Sequence, residues 1–458
     1  MLAGCASASG RAGFDDVERM VAGRTPLRVS WIQGLAEDSL IDIRVRTALR
    51  GEVSADSAVQ IALLKNRSLQ ATFEEVGIAQ ADLAQAGLLA NPVFSAEALG
   101  ASGGGRGVLL ANVVLPFVDA LQRPLRKRVA ESAFTATRQR VASAVIELVA
   151  HVRAAYVDAQ SAEQMIELWQ SVTAAANASA TAAAALHDAG NVSDLILAQE
   201  QAMAADAGLS LIRAVEESRV ARAELGRLMG VAGTDTSWVL SPRLADPGDD
   251  SLSLPVLLGV ARGRRLDLRA RRQDVETLGR ALGFNQRFAL LADGTIGLAY
   301  EREPDGTFRG GGFSIPLPLF DRGQARVARA RSVLRQAVSQ HDALTVDMGA
   351  EVTSLFARLT GARDRALQLR RTVLPLRRAV VSETQRFVNA MQETVFTLLI
   401  ARQAEIDAGQ SYVHALREYW TIRAQLERAV GGSFAPLTSD EQADSLGKAP
   451  SLLPMPKE

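Results

Sequence analysis

A five-residue phrase occurs twice in this chain. Leu115-Pro116-Phe117-Val118-Asp119 returns about 200 residues later as Leu317-Pro318-Leu319-Phe320-Asp321. Each copy closes a short alternating apolar stretch and opens a long Ala-rich helical pattern. The chain is therefore read as a tandem duplication of one unit: helix, strand pair, long helix pair.

The boundaries follow from that unit. Residues 1–50 mix Gly, Arg and Pro with isolated apolar residues and read as an extended N-terminal leader. The first repeat covers 51–230, with a helix capped at Asp56 or Ser57 and running to Asn91-Pro92, and a strand pair at 93–116. A polar, Pro/Gly-containing linker follows at 231–255, and the second repeat covers 256–431, with a strand pair at 287–317. Residues 432–458 have the composition of a disordered tail. In the first pair, Val108, Leu110, Asn112 and Val114 alternate with Leu109, Ala111, Val113 and Leu115. Gly103-Gly104-Gly105 makes the first hairpin loop, and Pro304-Asp305-Gly306 supplies turn chemistry in the second.

After each strand pair the apolar residues step in a 4-3-4-3 pattern. Val141, Val145, Leu148, Val152, Ala155, Ala159, Ala162, Ile166 and Trp169 form one seam, and Val352, Leu355, Leu359, Ala362, Ala366, Leu369 and Val373 form the other. Such spacing is that of coiled-coil packing, and its many Ala positions allow close approach of helices. A helix over 122–170 spans roughly 70 Å at 1.5 Å per residue. Each run is expected to break and reverse, at Ser171-Val172-Thr173 in the first half and at Leu374-Pro375 in the second, where proline cannot donate to the preceding turn. Ala189-Gly190-Asn191 and Asn389-Ala390-Met391 read as interruptions of the returning helices.

Strands of about ten residues are long enough to cross an outer membrane when tilted, but four of them cannot close a barrel. An open edge in hydrocarbon leaves unpaired backbone groups, so strands in a membrane must pair with those of other copies. The alternative is a soluble four-stranded sheet covered by a helix.

Composition excludes several other classes. Lys+Arg and Asp+Glu number 51 each, so there is no basic surplus of the kind nucleic acid requires. One cysteine rules out an internal disulfide, and four dispersed histidines argue against a His-built metal site; no cofactor is expected. No Gly-rich phosphate loop or nucleophile motif points to an enzyme. No uninterrupted apolar stretch reaches transmembrane-helix length. Leu2-Ala3-Gly4-Cys5 has the form of a bacterial lipobox, with Cys5 as the acceptor of lipid, although the charged and apolar regions of a signal peptide do not precede it. The competing reading of Cys5 is an idle or buried thiol.

The segments Ala79-Gln80-Ala81-Asp82-Leu83, Gly87-Leu88-Leu89-Ala90-Asn91-Pro92 and Ile315-Pro316-Leu317-Pro318-Leu319-Phe320-Asp321-Arg322-Gly323-Gln324, with Leu398 to Gln403, resemble the TolC-like outer-membrane efflux factors over nearly the whole chain. The likeness is to lipoprotein members that serve resistance-nodulation-division pumps. It implies a mainly α fold with membrane β-strands: long α-helical hairpins forming a periplasmic tunnel, and four strands per chain in a twelve-stranded trimeric β-barrel. It implies a homotrimer in the outer membrane, held in lipid, that passively conducts substrates delivered by an inner-membrane pump through a periplasmic adaptor (membrane fusion) protein. It implies no catalysis and no cofactor. By the same resemblance the expected tips would dock the adaptor, and inward residues near the second tip would close the tunnel. Glu383 and Arg386 have the spacing for that gate; the plainer reading is a solvated ion pair worth a few tenths of a kcal/mol. The contrasting function is a soluble periplasmic coiled-coil adaptor or scaffold. An adaptor would carry one helical hairpin, and this chain shows two.

Overall fold

A computed structural model describes residues 13–34, 38–100, 107–231, 238–248, 252–288, 294–303 and 305–434. Cys5, the loop glycines 103–105 and residues 435–458 lie outside the described residues. The N-terminal stretch is helical in two places, α1 (Phe14–Ala22) and α2 (Asp38–Leu49), and ends in β1 (Glu52–Val53), which corrects the expectation of an extended leader. The cause in α1 is an apolar stripe at helical spacing, Phe14, Val17 and Val21, all buried. The first repeat continues with α3 (Ala55–Lys65), α4 (Arg67–Ala86), β2 (Val93–Leu99), β3 (Val108–Leu115), α5 (Phe117–Asp188) and α6 (Asp194–Met229). β4 (Val239–Leu240) lies between the repeats. The second repeat has α7 (Leu254–Arg264), α8 (Leu266–Arg287), β5 (Thr295–Glu303), β6 (Gly306–Ser314), α9 (Gln324–Gln368), a π-helical turn at Leu369–Val373, α10 (Leu374–Asn389) and α11 (Val395–Ala429).

These elements form two compact units. The first comprises 13–17, 72–142 and 266–346 and holds a four-stranded antiparallel sheet of order β2-β3-β5-β6. The internal hairpins and the β3–β5 junction are paired throughout, for example Phe94 with Val113, Val113 with Leu298 and Leu298 with Gly311. β2 and β6 are edges. Register sorts the side chains onto two faces. One carries Phe94, Val113, Leu115, Ile296, Leu298 and Phe313 and is apolar over most of its length. Leu298 and Phe313 stay 71% and 78% exposed in the single chain, a cost that water imposes and lipid would not. The opposite face carries Ser95 hydrogen-bonded to Asn112, and the carboxylates Glu97, Glu301 and Glu303.

The repeated phrase joins sheet to helix. Asp119 pairs with Arg126 and accepts from the Ala90 N–H at 3.3 Å, and Arg126 also donates to the Ala86 and Leu88 carbonyls, so the motif stitches α5 to the end of α4. Its hydrogen bond from Arg126 holds the Asp119 carboxyl below the ordinary carboxylate value. In the second copy Asp321 accepts from the Gly323 N–H at 2.7 Å, closing a tight turn at the strand-to-helix junction.

The second unit comprises 18–71, 143–265 and 347–434. Its seams bury the residues that the 4-3-4-3 pattern marks: Val145, Val152 and Ala159 on α5, and Val352, Leu355, Leu359, Ala362 and Ala366 on α9. β1 and β4 pair in parallel, and the Tyr156 hydroxyl fastens both by donating to the Val53 carbonyl at 2.9 Å and accepting from the Ser241 N–H. The residues between the repeats are also pinned. The Tyr412 hydroxyl donates to Asp246 at 2.6 Å, and burial together with that carboxylate pushes its pKa up to about 12. Arg153 on α5 bridges Asp56 and the largely buried Glu427 of α11, tying the two repeats together. Burial lifts the Glu427 carboxyl above its ordinary value against the pull of Arg153 and Arg423.

Duplication is visible at the returning helix ends. Gly230 ends α6 with φ +69°, and Gly431 follows α11 with φ +85°. Each lies against a break between consecutive helices of its own repeat, at Asn66 and at Arg265. The Asn66 side chain donates to the Leu228 carbonyl at 2.8 Å, and Arg265 reaches the Ala429 carbonyl at 3.5 Å. A Cβ on Gly230 would sit 2.4 Å from the Lys65 carbonyl oxygen, and one on Gly431 2.8 Å from the Arg264 carbonyl carbon. Both clashes are with backbone, at φ values that L side chains rarely adopt. Gly230→Ala and Gly431→Ala are each expected to lower unfolding free energy by about 1–3 kcal/mol, read from urea midpoints.

Candidate functional site

The expected tips do not lie where the chain turns. Ser171, Val172 and Thr173 are inside the unbroken helix α5, where Ser171 bonds back to the Glu167 carbonyl at 3.1 Å. The Ala-rich run that follows them favours helix strongly enough to carry through. Leu374 and Pro375 also lie in continuous helix. The π turn just before them hands the Leu374 N–H to the Leu369 carbonyl, so the extra residue absorbs the donor that proline lacks.

The chain reverses instead at 189–193 and 390–394, the two segments that the pattern marks as interruptions. Antiparallel partners prove the second reversal: Arg402 donates to Gln385 at 3.0 Å, Arg378 meets Glu405 at 3.7 Å, and Arg365 pairs with Glu418. Arg222 pairing with Glu163 does the same for the first. Both turns have one geometry at a 201-residue step. At the first, Gly190 adopts φ +75°, its N–H bonds the His187 carbonyl at 2.8 Å, and the Asn191 N–H bonds the Leu186 carbonyl at 2.8 Å. At the second, Met391 adopts φ +59°, with the matching bonds to Val388 at 3.0 Å and from Gln392 to Phe387 at 2.9 Å. This is the Schellman closure of a helix. Ser193 and Thr394 then cap the returning helices through their side-chain oxygens, at 3.5 Å to the Ile196 N–H and 3.3 Å to the Thr397 N–H.

Within this shared frame the two turns differ chemically. His187 spans the first turn to Asp194 at 2.6 Å. The equivalent positions of the second turn are Val388 and Val395. Met391 is the sole non-glycine at positive φ among the described residues, and it is 95% exposed. A methionine held in the left-handed region with nothing covering it stores strain that the fold does not need. The residue spacing that separates Gly190 from Met391 is the signal that could have located both tips from sequence.

Glu383 and Arg386 lie on α10 within two turns before the second reversal, not after it. Arg386 holds both carboxylate oxygens of Glu383, at 2.9 and 3.2 Å, and both side chains are solvent-exposed. Within one chain this is an i,i+3 ion pair. No three His, Cys, Asp or Glu side chains come together in a metal-binding group among the described residues. Among the same residues no helix is long and apolar enough to cross a membrane.

Solved structures share this arrangement of open sheet and long hairpins. The outer membrane protein VceC of Vibrio cholerae aligns with a TM-score of 0.71 at 17% identity, covering 83% of this chain and 97% of that one. The CmeC outer membrane channel of Campylobacter jejuni aligns at 0.72 and 15% identity, covering 85% and 89%. The open state of the Neisseria gonorrhoeae MtrE outer membrane channel aligns at 0.66 and 16% identity, covering 82% and 88%. The chain has the TolC-like outer-membrane channel fold. No protein-family model and no curated protein matches it.

The strain at Met391 has a measurable consequence. Met391→Gly is expected to slow local amide exchange at Gln392 and to stabilise the turn by up to about 1 kcal/mol, the extra freedom of glycine in the unfolded chain offsetting part of the gain. Gly190→Met is expected to speed exchange at Asn191. Equal rates in both variants and wild type would show that neither turn is strained.

Proposed function

We propose that this chain is one third of an outer-membrane exit duct that passively conducts substrates handed over by an inner-membrane pump and a periplasmic adaptor. One observation carries the reading: a four-stranded sheet with two open edges and an exposed apolar face, built into a fold shared with outer-membrane channels over more than four fifths of the chain. Unpaired edge groups in hydrocarbon cost several kcal/mol each, so three copies supply twelve strands and remove every edge. The soluble adaptor reading would leave both the edges and the apolar face in water.

Lipid on Cys5 adds a second hold on the membrane in this reading. The adaptor docks on the turns at 189–193 and 390–394, in place of Ser171–Thr173 and Leu374-Pro375. Three copies of Glu383, each tied to its own Arg386, narrow the tunnel next to the second turn. With each carboxylate held by its own guanidinium, the three pairs constrict the tunnel by bulk and open when the pump or adaptor engages.

The test is reconstitution. Detergent-extracted protein is expected to migrate as a trimer and to conduct ions in planar bilayers, and Glu383→Ala combined with Arg386→Ala is expected to raise the conductance. Recovery of the protein in the soluble fraction without detergent would contradict the duct. A conducting trimer whose conductance is unchanged by the double substitution would remove the pair from the gate and leave the duct standing.

A further inference from the structure

The carboxylates and guanidiniums of the sheet are sorted by face. Glu97, Glu301 and Glu303 share the face that also holds the Ser95–Asn112 hydrogen bond. Arg302 and Arg309 share the other face, which is otherwise apolar apart from Tyr300, Thr307 and small residues and carries no acid. Both arginines are exposed, and neither makes an ion pair among the described residues. Arg309 rests 5.8 Å from the centre of the Tyr300 ring.

Register places these two cations together. Arg302 is paired with Thr307 across β5 and β6, and Tyr300 with Arg309. Arg302 and Arg309 are thus diagonal neighbours on one face, roughly 7–8 Å apart at the backbone, well within the reach of two long side chains converging on one ligand. They also lie at a defined level. The sheet joins its helices at Val93, Leu115, Thr295 and Ser314, and the arginines sit at the opposite, hairpin end, next to the turn between Glu303 and Gly306. The apolar band of Leu298, Ile296 and Phe313 lies between them and the helices.

The sheet face offers these two cations no counter-charge, and the acid of the adjoining turn, Asp305, makes no ion pair with either, so both are open to an anionic ligand. An arginine at the bilayer midplane costs about 2–4 kcal/mol, a penalty that nearly vanishes at the interface, so these positions mark the edge of the hydrocarbon. Guanidinium matches phosphate oxygens in planar, bidentate geometry, and an aromatic ring at the same level suits the headgroup boundary. We propose that Arg302 and Arg309, with Tyr300, form a site for the phosphate of an anionic lipid in the outer leaflet, one site per chain and three around the barrel. The first hairpin has no counterpart at this level, where Ala98 and Leu109 stand on the same face. The inference rests on the sheet being a membrane barrel with its helices on the periplasmic side.

The experiment uses the full-length trimer in phosphatidylcholine vesicles doped with diphosphoryl lipid A, extracted gently and examined by native mass spectrometry. Wild type is expected to retain up to three lipid A molecules, Arg302→Gln/Arg309→Gln about ten-fold less, and Arg302→Lys/Arg309→Lys an intermediate amount. Lipid A stripped of its phosphates is expected not to be retained, and excess inorganic phosphate not to displace the intact lipid. Equal retention of phosphorylated and dephosphorylated lipid A by wild type would overturn the site, and so would complete displacement by inorganic phosphate, which would make it a site for free anions. These two arms need only wild type, so they decide even where the double Gln variant inserts poorly. Conductance of the same samples reports on the duct separately: a variant that conducts like wild type while losing lipid A isolates the site from the channel.

Discussion

Unpaired backbone groups along a sheet edge govern everything else in this molecule. β2 and β6 each present a row of N–H and C=O groups that the chain itself cannot satisfy, and the exposed face between them is apolar. In water such a sheet would associate edge to edge without limit. In the proposed duct, closure with other copies turns the same liability into a defined cylinder, and the apolar face then meets lipid rather than solvent. The helices follow from this choice. A barrel wall needs its strands held at a fixed stagger; β3 leads into α5 through Pro116 and β6 into α9 through residues 315–323, and Asp119 and Asp321 accept the Ala90 and Gly323 N–H groups beside these connections.

Duplication lets one solution serve twice. Both returning helices turn through the same hydrogen-bonded closure, are capped by a hydroxyl residue, and finish at a positive-φ glycine pressed against a helix break. Where backbone meets backbone, at Gly230 and Gly431, both copies keep glycine, because a Cβ has nowhere to go. Where the turn is open to solvent, the copies diverge: Gly190 with a His187–Asp194 clasp on one side, and a strained, uncovered Met391 flanked by valines on the other.

Much of this was legible in the residues. Alternation gave the first strand pair almost to the residue, and the 4-3-4-3 seams gave the buried faces of α5 and α9. The second pair was displaced, with the first strand starting at Thr295 rather than 287, because α8 carries its helical pattern to Arg287. The tips were misplaced for a physical reason. Proline at 375 looks like a stop, yet a π turn upstream removes the need for its missing donor. At 391 a methionine occupies a position where sequence reasoning expects glycine, so the true turn carries a weaker signal than the false one. The short parallel pair β1–β4 joins residues far apart in sequence, and two-residue strands leave no periodicity to read. That Arg302 and Arg309, on different strands, stand on one face becomes visible only once register is known.

The claim on which the account stands is that β2 of one copy pairs with β6 of another, and paired cysteines test it most directly. In a Cys5→Ala background, one cysteine is placed at Phe94, Ala96 or Ala98 and a second at Gly311 or Phe313, all on the same sheet face. Oxidation in the membrane is expected to give covalent trimers on a denaturing gel for at least one β2–β6 combination, and no cross-linked copies when either strand carries its cysteine alone. Chains that remain monomeric in every combination, or that link β6 to β6, would contradict a closed barrel of three.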